Sequence, residues 1–182
     1  MTKFNDFEKN IDFSFWKELC HTKGKLRSYR RGECFAHTGD IIKRVGWVET
    51  GSFKHSLINE KGERKSIGFV FAGSVLANYQ SAMMHKPLPN DIVALENSEV
   101  LEIPVNIIRD HIVNDPTINL KLAQELFAQA YESILDNYRY SAQQRYEMLV
   151  RRCPRILDTA TVGDIASFLN ISRRQLHRFM KR

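Results

Sequence analysis

Glycine is confined to one part of this 182-residue chain. Eight of the nine glycines lie between Gly24 and Gly73, and the ninth is Gly163. Glycine enters the left-handed backbone region without steric penalty, so closely spaced glycines mark bends between short extended segments. GKLRSYRRGECFAHTGD reads as two short strands with bends at Gly32 and Gly39. VGWVETGSFKHSLINEKGERKSIGFVFAG alternates apolar and polar residues, breaks at Gly51 and turns back at NEKG as a hairpin. DIVALENSEVLEIP adds two strands around Asn97-Ser98. Many short antiparallel strands at this spacing predict a sandwich or barrel.

Helical segments flank this unit. FNDFEKNIDFSFWKELC carries aromatics at roughly helical spacing, and PVNIIRDHI places Pro104 in a first helical turn, where its missing N–H costs little. From Thr117 to Cys153 no glycine or proline interrupts the chain. Asp115 can cap a long helix and Pro116 can occupy its first turn. Leu120, Phe127 and Ile134 recur every seven residues with Ala123 and Ala130 between them, while Leu122, Leu126 and Leu135 form a second stripe. A helix with two apolar stripes can pack on its own domain and against a second helix at once, so the first stripe is a candidate dimer seam. A further helix over about 141–152 ends at Pro154, and PRILDTAT reads as a connector. The expected division is residues 1–114 as a β-roll with flanking helices, 115–140 as the long dimerisation helix and 141–182 as a separate helical unit.

Charge separates the same parts. Residues 1–140 hold 18 Lys/Arg and 18 Asp/Glu, whereas residues 141–182 hold nine Lys/Arg against Glu147, Asp158 and Asp164, so the net +6 sits wholly in the last segment. A neutral body with a basic end unit points to a polyanionic partner there. An apolar content of 43% suits a normal core, and no apolar run reaches the ~18 residues of a membrane span. The charged start MTKFNDFEKNIDF lacks the apolar centre of a signal peptide, so a cytoplasmic location is expected. Cys20, Cys34 and Cys153 are scattered and odd in number, which argues against a disulfide framework. Cys20-His21 and Cys34-x-x-His37 stand outside any paired C-x-x-C, so no metal site is expected. The six histidines are spread singly, with no H-x-H or H-E-x-x-H, and no enzyme is expected.

VGDIASFLNISRRQLHRF fits a helix, a tight turn and a helix. Ile165 and Leu169 face inward, Ala166 is small where the helices cross, and Asn170 tolerates the left-handed conformation that ends a helix. Ile171 plugs the space between the helices, Ser172 caps the second one, and Leu176 and Phe179 point back inward. These offsets are those of a helix-turn-helix, whose second helix enters the major groove by its N-terminal part. Ser172, Arg173, Arg174, His177, Arg178 and Lys181 form the candidate DNA-binding set. Arginine there can pair bidentately with guanine. Arg151, Arg152, Arg155 and Arg182 read as phosphate contacts, which position without selecting. A helical domain that binds protein is the competing reading of the same helices.

A β-roll, a long helix and a C-terminal helix-turn-helix together resemble the CRP/FNR superfamily of bacterial transcription regulators, over about residues 10–182. The end of the chain is similar to the Bacteroidetes-type members, which read ERY-x-x-L-x-x-x-x-P-x-I and then IA-x-x-L-x-I-x-x-x-x-L-x-R. Arg145, Tyr146, Leu149, Pro154, Ile156, Ile165, Ala166, Leu169, Ile171, Leu176 and Arg178 match. The resemblance implies an α+β fold in which a double-stranded β-helix (a cyclic-nucleotide-binding-like jelly-roll) is joined by a dimerisation helix to a helix-turn-helix domain. The wing strands of the family pattern would fall beyond the last residue of this sequence. The partners implied are double-stranded DNA, a second copy of the chain, RNA polymerase and a small-molecule effector.

The sensor half departs from the family pattern. Cyclic-nucleotide binders carry a glutamate for the ribose and an arginine for the cyclic phosphate. Those positions fall here at Asn78 and near Leu88, Pro89 and Asn90, and no arginine lies between Lys65 and Arg109. A cyclic phosphate would then enter a largely apolar site with its charge poorly compensated. The effector is therefore unknown, or there is none, with a cyclic-AMP-responsive regulator as the alternative. Asn78, Tyr79, Ser81 and His85 are the candidate effector pocket. Oxygen sensors of this family hold an iron–sulfur cluster on four cysteines, and three at the wrong spacing argue against one. His21, His37, His55 and His111 read as surface or structural residues rather than haem ligands.

Overall fold

The computed structural model describes residues 4–5 and 10–181. Helix α1 (Ser14–Lys23) leads into β1 (Lys25–Tyr29), β2 (Cys34–Ala36), β3 (Arg44–Thr50), β4 (Ser52–Ile58), β5 (Arg64–Phe71) and β6 (Val75–Leu76). A short helix α2 (Tyr79–Met84) precedes β7 (Asp91–Ala94) and β8 (Ser98–Pro104). Helices α3 (Val105–Val113), α4 (Pro116–Arg139), α5 (Ala142–Arg152), α6 (Ile156–Thr159), α7 (Val162–Phe168) and α8 (Arg173–Met180) complete the chain. The strands form two four-stranded antiparallel sheets, ordered β1-β8-β3-β6 and β2-β7-β4-β5. The fold is the α+β jelly-roll with a long helix and C-terminal helices. Neither β6 nor α2 is among the elements expected from sequence, and α6 adds a helical turn inside the expected connector.

The turns follow the glycines. At Gly51 the chain passes from one sheet to the other with φ near +85°, and a Cβ there would lie 2.1 Å from Ser98 Oγ. Only glycine meets both demands. The NEKG turn is held by Asn59, whose side chain accepts from the N–H of Lys61 and of Glu63.

The long helix starts as its residues predict, with Pro116 in the first turn and the Asp115 carboxylate accepting from the Thr117 and Ile118 N–H groups. Its two stripes divide in part as expected, Leu135 of the inner stripe being half-exposed and outside the core cluster. Leu122 is buried against the roll, with Ile118 and Leu126 packed beside it. Leu120, Phe127 and Ile134 face outward, and Tyr131 and Tyr138 join them. The outer stripe thus runs through two tyrosines rather than through Ala123, which is half-buried. Phe127 and Tyr131 stack with centroids 6.0 Å apart.

The core falls into two clusters. One fills the roll, from Trp16 and Phe53 to Ile103 and Ile108. The other gathers Leu149, Ile156, Ile165, Leu169 and Leu176 from the C-terminal helices with Phe69, Phe71 and Leu95 of the roll. Strand β5 serves both: Val70 belongs to the first cluster, Phe69 and Phe71 to the second. Successive strand residues point to opposite faces, so this edge strand is covered on both.

Candidate nucleic-acid interface and effector cavity

Helices α7 and α8 are built by their end residues. Thr161 accepts from the Asp164 N–H while Asp164 accepts back from Thr161, and Ser172 and Gln175 make the same reciprocal cap on α8. Between them Asn170 takes φ near +54°. The Ile171 N–H donates to Ala166 O (2.9 Å) and the Asn170 N–H to Ser167 O (3.0 Å). This is a Schellman ending, which satisfies the last carbonyls of α7 and turns the chain sharply. Ile165, Ala166 and Leu176 are buried at the crossing, and Phe179 rests on Tyr146 of α5 at 6.1 Å.

That packing leaves Ser172, Arg173, Arg174, His177, Arg178 and Lys181 exposed. Arg173 is set apart from the others. Its guanidinium lies over Gly163, where an added Cβ would stand 2.8 Å from Nη2. Arg174, His177 and Arg178 project from α8. Of the expected phosphate contacts, Arg151 is exposed. The Arg152 guanidinium sits 5.1 Å from the Phe4 ring, and Arg155 reaches Glu96 of the roll at 3.8 Å. Arg182 lies outside the described residues.

Helix α7 is docked on the roll. Asp164 is buried, yet its carboxylate accepts from Lys54 Nζ on β4 (2.5 Å), Ser66 Oγ on β5 (2.7 Å) and Thr161 Oγ1 (2.7 Å). Burial alone would raise this carboxyl's pKa, but the hydrogen bonds from Lys54, Thr161 and Ser66 outweigh it and hold the pKa below the usual carboxylate value. The Ser66 N–H, at the sheet edge, donates to Ser167 Oγ (2.9 Å). Phe69, Phe168 and Phe4 close a triangle with every pair of ring centroids 5.4 Å apart. Nothing in the sequence reading anticipated this junction, although the unbroken run Phe69-Val70-Phe71 signals a strand covered on both faces.

A cavity of about 440 Å³ opens between the roll and α4. Asn78 and Tyr79 line it, as the sequence reading expected. Ser81 and His85 do not belong to the pocket. Because residues 79–84 coil into α2, Ser81 turns inward and its Oγ accepts from the Ile42 N–H (2.9 Å), while His85 becomes the exposed left-handed cap at φ near +52°. The lining that sequence reasoning missed includes Trp16, His55, Leu122, Leu126 and Phe127. The other histidines read as surface or structural sit elsewhere: His21 pairs with Glu49 (3.0 Å), His37 is exposed and His111 stacks on Phe15 (4.6 Å).

Comparison with known proteins bears on this arrangement. A family model described as the cyclic nucleotide-binding domain matches residues 26–115. Electron transport regulator A of Shewanella oneidensis is 25% identical over 173 residues, covering 87% of this chain and 68% of its own. The fumarate and nitrate reduction regulatory protein of Yersinia pestis is 24% identical over 172 residues, with the same coverage. Among solved structures, FixK2 from Bradyrhizobium japonicum superposes with a TM-score of 0.72 at 18% identity, over 87% of this chain and 83% of that one. The catabolite activator protein of Thermus thermophilus gives 0.56 at 16% identity, over 92% and 82%. At such identities the structural likeness speaks for the fold.

Proposed function

We propose that the chain is a transcription regulator of the CRP/FNR type, as its match to the cyclic nucleotide-binding domain over residues 26–115 and its similarity to such regulators support, and that it acts in the cytoplasm as a homodimer that reads a two-fold DNA site through α8. The observation that carries this reading is the exposure of Arg174, His177 and Arg178 along α8, above a buried Ile165–Leu176 crossing. Arginines so placed reach base edges when the helix lies in the major groove. Arg151 and Lys181 are exposed nearby and suit phosphates.

A single helix-turn-helix reads few bases, and pairing two of them across a two-fold axis sets half-sites roughly 34 Å apart. The outer stripe of α4 supplies the seam, from Leu120 through Phe127, Tyr131 and Ile134 to Tyr138. The roll acts as the sensor. Its long helix roofs the cavity with Leu122 and Leu126 and carries the seam on an adjoining face that shares Phe127, so an occupant that favours one setting of α4 shifts the spacing of the two recognition helices. The cyclic-AMP-responsive alternative finds no support in the cavity, where no arginine or lysine is among the described lining residues.

Selection from a random duplex library with the full chain tests the reading. Enrichment of an inverted repeat with half-sites about ten base pairs apart is expected. Retention of all sequences alike, lost at moderate salt, would overturn it in favour of helices that contact protein.

A further inference from the structure

The cavity under α4 is defined by chemistry as much as by shape. Its described lining carries no Arg, Lys, Asp or Glu. Trp16 and Phe13 of the N-terminal segment, Val70 of β5, and Leu122 and Phe127 of α4 give it apolar and aromatic walls. Several of its polar groups are already engaged. The Asn78 side chain accepts from the Ser81 N–H, and the Tyr79 hydroxyl donates to Asn119 Oδ1 (2.9 Å).

His55 lines the cavity too, and its protonation can be read from its neighbour. Asn90 Nδ2 donates to the Asp91 carbonyl (2.8 Å), which can only accept, so that atom is the amide nitrogen. The same nitrogen lies 3.0 Å from His55 Nδ1. His55 Nδ1 therefore accepts, and the ring proton sits on Nε2. Burial lowers the ring's pKa to about 4, which keeps it neutral. The ring itself lines the cavity. The cavity thus sets a neutral histidine donor beside uncharged amides and apolar, aromatic walls.

We infer that this cavity binds an uncharged, largely aromatic or aliphatic molecule bearing a hydrogen-bond acceptor such as a carbonyl oxygen, seated between Trp16 and Phe127 and anchored on His55 Nε2–H. An anion such as a cyclic phosphate would surrender its hydration with no cation to receive it, whereas a neutral ligand loses little on entry. Phe127 lines the cavity and also stands in the outer stripe of α4, stacked on Tyr131, so the occupant touches the seam directly. The ligand's role as effector rests on the proposed regulator function, but its binding does not.

The test uses the full chain and the probe prodan, a neutral naphthyl ketone whose emission reports both polarity and hydrogen bonding at its carbonyl. Saturable binding at one probe per chain is expected. 8-Anilino-1-naphthalenesulfonate and cyclic AMP should bind at least tenfold more weakly. His55→Phe should weaken prodan several-fold and shift its emission further to the blue, and filling the space by Ala77→Trp or by Leu126→Trp should abolish binding. Two filling variants on different elements are named so that a folding failure in one leaves the other decisive, with circular dichroism checking each. Prodan binding no tighter than the anions, or untouched by His55→Phe and by whichever filling variant folds, overturns the inference. DNA affinity of the unliganded wild type is measured separately. Loss of DNA binding with prodan binding intact therefore removes the regulator reading and leaves the cavity assignment standing.

Discussion

The ammonium of Lys54, on the roll, lies 2.5 Å from the carboxylate of Asp164, in the first helix of the helix-turn-helix. Both side chains are largely out of water, at 16% and 10% exposure, so this is a desolvated pair rather than a surface one. Lys54→Met removes the cation and leaves the carboxylate among Ser66 and Thr161 alone. Stranding a buried charge in this way costs about 3 kcal/mol. Urea denaturation should show that loss, and amide exchange in α7 should quicken relative to α4. Replacing Ser66 by Ala removes one hydrogen bond and should cost about 1 kcal/mol.

The outer stripe of α4 gives a second expectation. Ile134 and Tyr138 are 55% and 85% exposed in the single chain and take no part in the cavity. Ile134→Glu or Tyr138→Glu should therefore leave the fold and prodan binding intact while splitting the proposed dimer. Placing a charge in an apolar seam should cost about 3 kcal/mol, roughly a hundredfold in the dimer constant. Sedimentation over a concentration series measures it.

His55 sets a pH window. Its ring is held near pKa 4, below the ordinary 6.5, so the folded state takes up the proton later than the unfolded one. Its stabilising contribution is complete above pH 6.5 and is lost as pH falls from 6.5 toward 4, amounting to about 3 kcal/mol at most. Asp164 and Asp91, whose carboxyls lie below 3.8, lose their contribution only at still lower pH. Denaturation midpoints between pH 7 and 4.5 should fall in the wild type and fall less in His55→Phe.

Asn170 provides a backbone test. At φ near +54° a β-branched side chain clashes with its own carbonyl, so Asn170→Val should cost about 1–2 kcal/mol, whereas Asn170→Gly should be close to neutral. Thermal unfolding distinguishes the two.

Much of this structure is legible in the sequence where a residue's role is local. Asp115, Pro116, Asn170 and Ser172 are end residues whose chemistry acts within four positions, and each stands where its neighbours require it. The two stripes of α4 follow from helical periodicity alone, and the strands follow from glycine spacing. Non-local partners are not written this way. Asp164 reads as an ordinary first-turn acid, and only the folded chain brings Lys54, 110 positions away, to its side. The candidate effector pocket is half legible: Asn78, at the position of the family's glutamate, and Tyr79 line the cavity, while the coiling of residues 79–84 sends Ser81 and His85 elsewhere. His55 entered the cavity from a strand whose histidine looked structural.

The most direct test of the account is the affinity of the full chain for its selected duplex and for a random duplex, at one salt concentration, in wild type, Arg174→Ala and Arg178→Ala. The account predicts that each substitution weakens the selected site by about 1–3 kcal/mol, roughly five- to 150-fold, and that the random duplex is affected far less. Equal affinity of the wild type for both duplexes, or unchanged affinity for the selected site in both variants, would contradict it.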